Sequence, residues 1–181
     1  CGFYKKQSHE IIEIRSCLLQ TEITTDIAIF VKNIMNEYKI NAYDENNHKG
    51  MLRHLLIRKN TFNVYMVVLI VNEYKKEDVL LLASKIKDKF PQVKSIILNI
   101  NTEKNNIILG DEYEVIYGND YLLEDILGLK FKMSHKAFFQ INHDQTEKLY
   151  ANALTLANIS STAFLSMMSK SSIQESASLR S

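Results

Sequence analysis

The run Phe62-Asn63-Val64-Tyr65-Met66-Val67-Val68-Leu69-Ile70-Val71 restricts the folds open to this chain more than any other segment. It is far too short to cross a bilayer. It also lacks the apolar-polar alternation of a strand with one wet face, so it reads as a strand buried on both faces. Such a strand requires covering layers above and below its sheet, and the rest of the chain has to supply them.

Ile27, Phe30, Val31, Ile34, Met35 and Tyr38 recur at helical spacing, and Thr24 or Thr25 can cap the start, which predicts an amphipathic helix over residues 25–39. A polar loop, Asn41 to Gly50, leads to a strand over Met51 to Ile57, joined to the apolar run by the short turn Arg58-Lys59-Asn60-Thr61. Lys76 to Phe90 forms a second helix with Val79, Leu82, Ala83 and Ile86 inward and Pro91 at its end, and Ser95 to Ile100 is a further strand. With an early strand near Glu10 to Ile14, the predicted class is α+β with a ferredoxin-like β-α-β-β-α-β core and a right-handed crossover. Beyond Asn105 the helical period is lost. Short strands at Ile107 to Leu109, Tyr113 to Tyr117, Tyr121 to Ile126 and Leu129 to Met133 alternate with turns at Gly110-Asp111, Gly118-Asn119 and Gly128, which predicts an antiparallel β-meander.

The meander leads into Ser134-His135-Lys136-Ala137-Phe138-Phe139-Gln140-Ile141-Asn142, where aromatic, amide and basic side chains meet at a strand-to-helix junction. Junctions of this kind present backbone N–H groups and loop side chains at a sheet end. The plainer reading has Phe138 and Phe139 plugging the core, while Asn142 or Asp144 caps a helix with Leu149, Ala153 and Leu156 on its apolar face. A second cluster, His48, Lys49, Arg53, His54, Arg58 and Lys59, is either a solvated edge strand or a rim that contacts phosphates. Arg53 and His54 point to opposite sides of a strand, so the cluster is not one flat patch. His9 and His135 lack metal-ligand spacing to a partner.

The 22 basic and 21 acidic residues give a net charge of +1, so any nucleic-acid contact has to come from local patches. The chain has no apolar run long enough for a membrane span and no signal-peptide start. Two cysteines, Cys1 and Cys17, make neither a disulfide framework nor a metal motif, and a reducing cytoplasm is the default setting. The opening Cys1-Gly2 also admits an alternative, a ferredoxin-like binding module anchored as a lipoprotein through Cys1.

Residues Lys136 to Asn142 resemble the F-x-Q-x-N signature of the uracil-5-methyltransferases that modify ribosomal and transfer RNA. The resemblance extends back through Asn99-Ile100-Asn101, His48-Lys49-Gly50-Met51-Leu52-Arg53-His54, Ala42-Tyr43-Asp44, Ile14-Arg15-Ser16-Cys17-Leu18-Leu19-Gln20 and Gly2-Phe3-Tyr4-Lys5-Lys6, covering roughly residues 1 to 158. It implies the central region of a 23S rRNA (uracil-C5)-methyltransferase that uses S-adenosyl-L-methionine, cytoplasmic and monomeric, with RNA as partner. It further implies that Gln140 bonds the cofactor, Phe138 packs on a flipped uridine and Asn142 braces the loop. Lys136, Arg53, His54 and Arg58 are the RNA-contacting cations on this reading. Cys17 stands where iron–sulfur members of the family place the last of four [4Fe–4S] ligands, and one thiolate alone does not hold such a cluster.

The family's nucleophilic cysteine and carboxylate base come from a following methyltransferase domain. This chain has no cysteine after Cys17 and no glycine after Gly128, so it has no Gly-rich turn for a doubly wound cofactor domain. No catalytic residue is expected here, and the chain alone is expected to be inactive. The expected division is a central RNA-binding domain over 1–142, a helix over 143–158 leading toward the methyltransferase domain, and a Ser-rich tail over 159–181 that does not resemble the family. A frame change or truncation near Asn158 would account for that tail. The two readings differ at one testable point: the binding module buries Phe138 and Gln140, and the methyltransferase leaves both accessible.

Overall fold

In the computed structural model, residues 2–4, 11–13, 21–140 and 142–156 are described. The apolar run forms strand β4 (Tyr65–Val71), in which every residue is at most 1% exposed. It lies inside a four-stranded sheet, ordered β3 (Leu52–Lys59), β4, β5 (Val93–Ile100), β6 (Glu112–Gly118). β3 and β4 are antiparallel, β4 and β5 parallel, β5 and β6 antiparallel. The parallel pair is connected through α2 (Lys76–Lys89), the crossover that parallel strands need.

Side-chain alternation assigns the two faces. Tyr65, Val67, Leu69 and Val71 of β4, with Ile96 and Leu98 of β5, form one core with Val79, Leu82 and Ile86 of α2 and Ile27, Val31, Ile34 and Met35 of α1 (Glu22–Glu37). The intervening residues Met66, Val68, Ile70 and Ile97 point to the other face and are fully buried as well. Each such aliphatic side chain contributes about 1.5–3 kcal/mol relative to exposure, as an upper figure. Burial on both faces of β4 is therefore what the sequence required.

The helices lie close to their expected positions, although α1 starts earlier, at Glu22 after Thr21, whose hydroxyl lies 2.8 Å from the Tyr65 hydroxyl. The predicted turn at 58–61 sits further along. Asn60, 5% exposed, accepts the Val64 N–H on its side-chain oxygen at 2.8 Å and donates to the Leu123 carbonyl at 2.8 Å, closing the loop over 60–64.

The α+β class stands, but the ferredoxin-like strand order does not. That order would place the early strand in the middle of the sheet. Instead β2 (Ile11–Glu13) pairs with β1 (Gly2–Tyr4) in a separate two-stranded sheet, and β5 takes the place beside β4. The meander is also revised: no strand forms at 107–109, β6 joins the main sheet, and β7 (Tyr121–Ile126) pairs with β8 (Leu129–Ser134). Cys1, Cys17 and the tail beyond 156 lie outside the described residues, so the lipid-anchor, cluster-ligand and tail readings have no structural account.

The chain divides into two compact units, one of residues 1–123 with 132–138, the other of 124–131 with 139–181. The first holds the main sheet, α1 and α2. The second holds the β7–β8 hairpin tip and α3 (His143–Leu156). Within it, Glu147 accepts the Leu127 N–H at 2.9 Å. Among the described residues no helix is long and apolar enough to cross a membrane.

Candidate functional site

β8 ends at Ser134, and the loop that follows carries the candidate side chains. In the first unit, Phe138 is 86% exposed, so it does not plug the core. Lys136 is exposed, with Nζ 3.6 Å from an Asp111 carboxylate oxygen and 3.3 Å from the Asp111 carbonyl, a surface contact that contributes little. In the second unit, Gln140 is exposed. Asn142 accepts the Gln145 N–H on its side-chain oxygen at 3.1 Å and so caps α3. The expected apolar face of α3 is bare: Leu149 is 60% and Leu156 87% exposed, and Ala153 is exposed too.

The basic cluster separates into distinct roles. A register shift between Leu52 and His54 interrupts the β3 ladder at Arg53. Its guanidinium donates to the carbonyls of Asn101, Glu103 and Asn105 and lies 4.9 Å from the Tyr43 ring centroid. Arg53 thus ties down the 101–105 loop. His48 bonds the Tyr43 hydroxyl through Nδ1 at 2.7 Å. His54 and Arg58 oppose Ile70 and Met66 and share the sheet face away from the helices. Burial, and then the charge of Arg53, lowers the His54 pKa from its usual value.

The structure brings Arg58 and the junction together. Arg58 Nη2 donates to the His135 carbonyl at 2.8 Å, while its Nε is buried without an acceptor. His135 is 2% exposed, its ring centroid lies 4.4 Å from that of Tyr113 on β6, and neither ring nitrogen has a partner. Burial, then the charges of Lys136 and Arg58, holds the His135 pKa below its usual value, against an opposing pull from Asp120. Neither Tyr113 nor His135 was selected by the sequence. A metal-spacing criterion passes over His135, and Tyr113 reads as an ordinary strand aromatic. Among the described residues no group of three or more His, Cys, Asp or Glu is placed to hold a metal ion.

No protein-family model matches the chain. In sequence it is 38% identical over 160 residues to an uncharacterised RNA methyltransferase of Oceanobacillus iheyensis, across 87% of this chain and 35% of that protein. It is 39% identical over 155 residues to one from Fusobacterium nucleatum, across 85% of this chain and 33% of the relative. The chain is a homologue of part of these RNA methyltransferases. It spans about a third of the length of the curated relatives it matches. Among solved structures, Pyrococcus abyssi tRNA (uracil-54, C5)-methyltransferase in complex with S-adenosyl-L-homocysteine resembles it with a TM-score of 0.65 at 21% identity, over 84% of this chain and 36% of that one. That likeness is one of fold.

The exposed side-chain amide of Gln140 carries two N–H donors and a carbonyl acceptor. A single amide fits an edge contribution to a cofactor site and no more.

Proposed function

We propose that this chain is the RNA-contacting portion of an S-adenosylmethionine-dependent RNA (uracil-C5)-methyltransferase whose target uridine lies in 23S ribosomal RNA. The observation that carries the reading is the exposure of Phe138, 86% free in a loop that also displays Lys136. An isolated phenylalanine at that exposure gains nothing for folding, whereas a ring held open beside a cation suits an unpaired base and its phosphate. Withdrawing a base from its stack costs a few kcal/mol, and stacking on an aromatic ring offsets part of that. Gln140 contributes a hydrogen bond at the edge of the cofactor site. The nucleophile and base belong to the rest of the longer protein, so the isolated chain transfers no methyl group.

The test is photo-crosslinking of the purified chain to a single-stranded RNA carrying 4-thiouridine, with peptide mapping. Crosslinks should concentrate at residues 136–140 and fall strongly in Phe138→Ala, with the unfolding midpoint unchanged. Crosslinks confined elsewhere, or methyl transfer to uridine C5 by the chain alone, would overturn the reading.

A further inference from the structure

We propose that Arg58, His135 and Lys136 form a binding site for one phosphate of the RNA backbone, with the Tyr113 ring as the stacking surface for the adjoining base. The inference rests on the reading of this chain as an RNA-contacting one. It adds a second nucleotide subsite, distinct from the exposed Phe138.

Buried polar atoms in folded proteins almost always have partners, so each exception calls for an explanation. Three such atoms belong to two residues joined by a hydrogen bond: Arg58 Nε and both ring nitrogens of His135. The arrangement is held from two sides, by the Arg58 Nη2 bond to the His135 carbonyl and by the packing of Tyr113 against the His135 ring. Lys136 follows directly, and its contact with exposed Asp111 is long enough to exchange for a better anion. The facing acidic groups are Asp111, on Lys136, and Asp120, acting on His135. Against them stand Arg58, Lys136 and a protonatable imidazole. A phosphodiester would accept from Arg58 Nε and from a His135 N–H, charge-assisted bonds roughly twice as strong as neutral ones. Tyr113 is 46% exposed, so part of its ring is open to an adjoining base. An arriving anion favours protonated His135, so binding strengthens as pH falls.

The experiment follows the histidine ring resonances of the nitrogen-15-labelled chain during titration with inorganic phosphate and, separately, with single-stranded oligouridylate. Oligouridylate affinity is measured in parallel across salt concentration and pH. The expected result is a shift and raised pKa of the His135 signals with both ligands. Affinity should drop roughly 10- to 100-fold in Arg58→Gln, with the log–log salt slope smaller by about one contact. Lys136→Ala, on an exposed side chain, should reduce the slope without altering the fold. If oligouridylate binds and depends on Phe138 while the His135 signals and the Arg58→Gln slope stay unchanged, the phosphate site is refuted and the functional reading stands. If phosphate moves the His135 signals but oligouridylate does not bind, the site takes free anions and not RNA, and both the proposed RNA phosphate site and the functional reading fail. If neither ligand moves them and no RNA binds, both are refuted.

Discussion

Asn99→Ala is the substitution whose cost can be worked most directly from the structure. Asn99 lies on β5, fully buried, and its side-chain oxygen accepts the Gly110 N–H at 2.8 Å. Its amide nitrogen donates to the carbonyls of Gly110 at 2.9 Å and Glu112 at 3.2 Å. Truncation removes all three bonds and strands backbone groups at the point where the 101–110 loop rejoins the sheet as β6. A buried group left without its partner costs about 1–3 kcal/mol, and the half-buried Gly110 recovers part of that from water, so the expected loss is about 2–4 kcal/mol. The assay is equilibrium urea unfolding followed by circular dichroism, suited to a chain with no tryptophan. With a slope of about 2 kcal/mol per molar, the midpoint should fall by roughly 1–2 M. Asn72→Ala is the control, because Asn72 makes two longer bonds of 3.3 Å at a half-buried site. Asn99→Asp sharpens the test: a carboxylate facing two carbonyls repels them, so this variant should regain stability on acidification as it protonates. Equal midpoints for Asn99→Ala and Asn72→Ala would refute the reasoning.

Because His135 and His54 both have folded pKa values below the usual 6.5, the native state disfavours their protons. Stability should therefore be level above about pH 6.5 and decline as pH falls below it, by no more than 1.4 kcal/mol per pH unit for each group; urea midpoints at pH 5.5 and 7.5 measure this, and His135→Leu should flatten the profile. Gly50→Ala should destabilise strongly, since its φ is +110° and a Cβ would lie 2.1 Å from the Ala42 carbonyl oxygen. Gly128→Ala, at φ +79° with open space around it, should cost only about 1–2 kcal/mol in the same unfolding assay. The amides of α3 should exchange near the unprotected rate and those of β4 at the slow global rate, because a 14-residue helix with Leu149 and Leu156 bare has little beyond its own hydrogen bonds to hold it; hydrogen exchange read by mass spectrometry distinguishes the two.

Local pattern and partner choice were unequally legible in the sequence. α1 and α2 announced themselves by period, and β4 by an unbroken apolar run, since those signals depend on residues within one or two turns. Which strand lies beside which depends on contacts distant in sequence. The ferredoxin-like order assumed that the strand near Ile11–Glu13 entered the main sheet, and nothing local distinguishes it from β6, whose exposed Tyr113 and Val115 make it the weaker strand by pattern. The same limit applies to the cations. Arg53 and Arg58 are alike in sequence, yet one ends on loop carbonyls and the other beside His135, on partners 52 and 77 residues away along the chain.

The candidate site follows from that geometry. A strand buried on both faces forces its sheet to carry covering material on each side, and α1 and α2 satisfy only one of them. On the opposite face, alternation along β3 presents His54 and Arg58 beside the buried Ile70 and Met66, and Tyr113 stands at the far edge. A charged side chain at the margin of an apolar face has to find a partner or a ligand. Arg58 finds half of one, a backbone carbonyl for Nη2 and nothing for Nε, and the residue that supplies the carbonyl brings a buried imidazole that is itself unpaired. Packing alone would favour apolar residues at both positions, and the proposed phosphate site supplies a reason for polar groups to be kept there at a cost in stability.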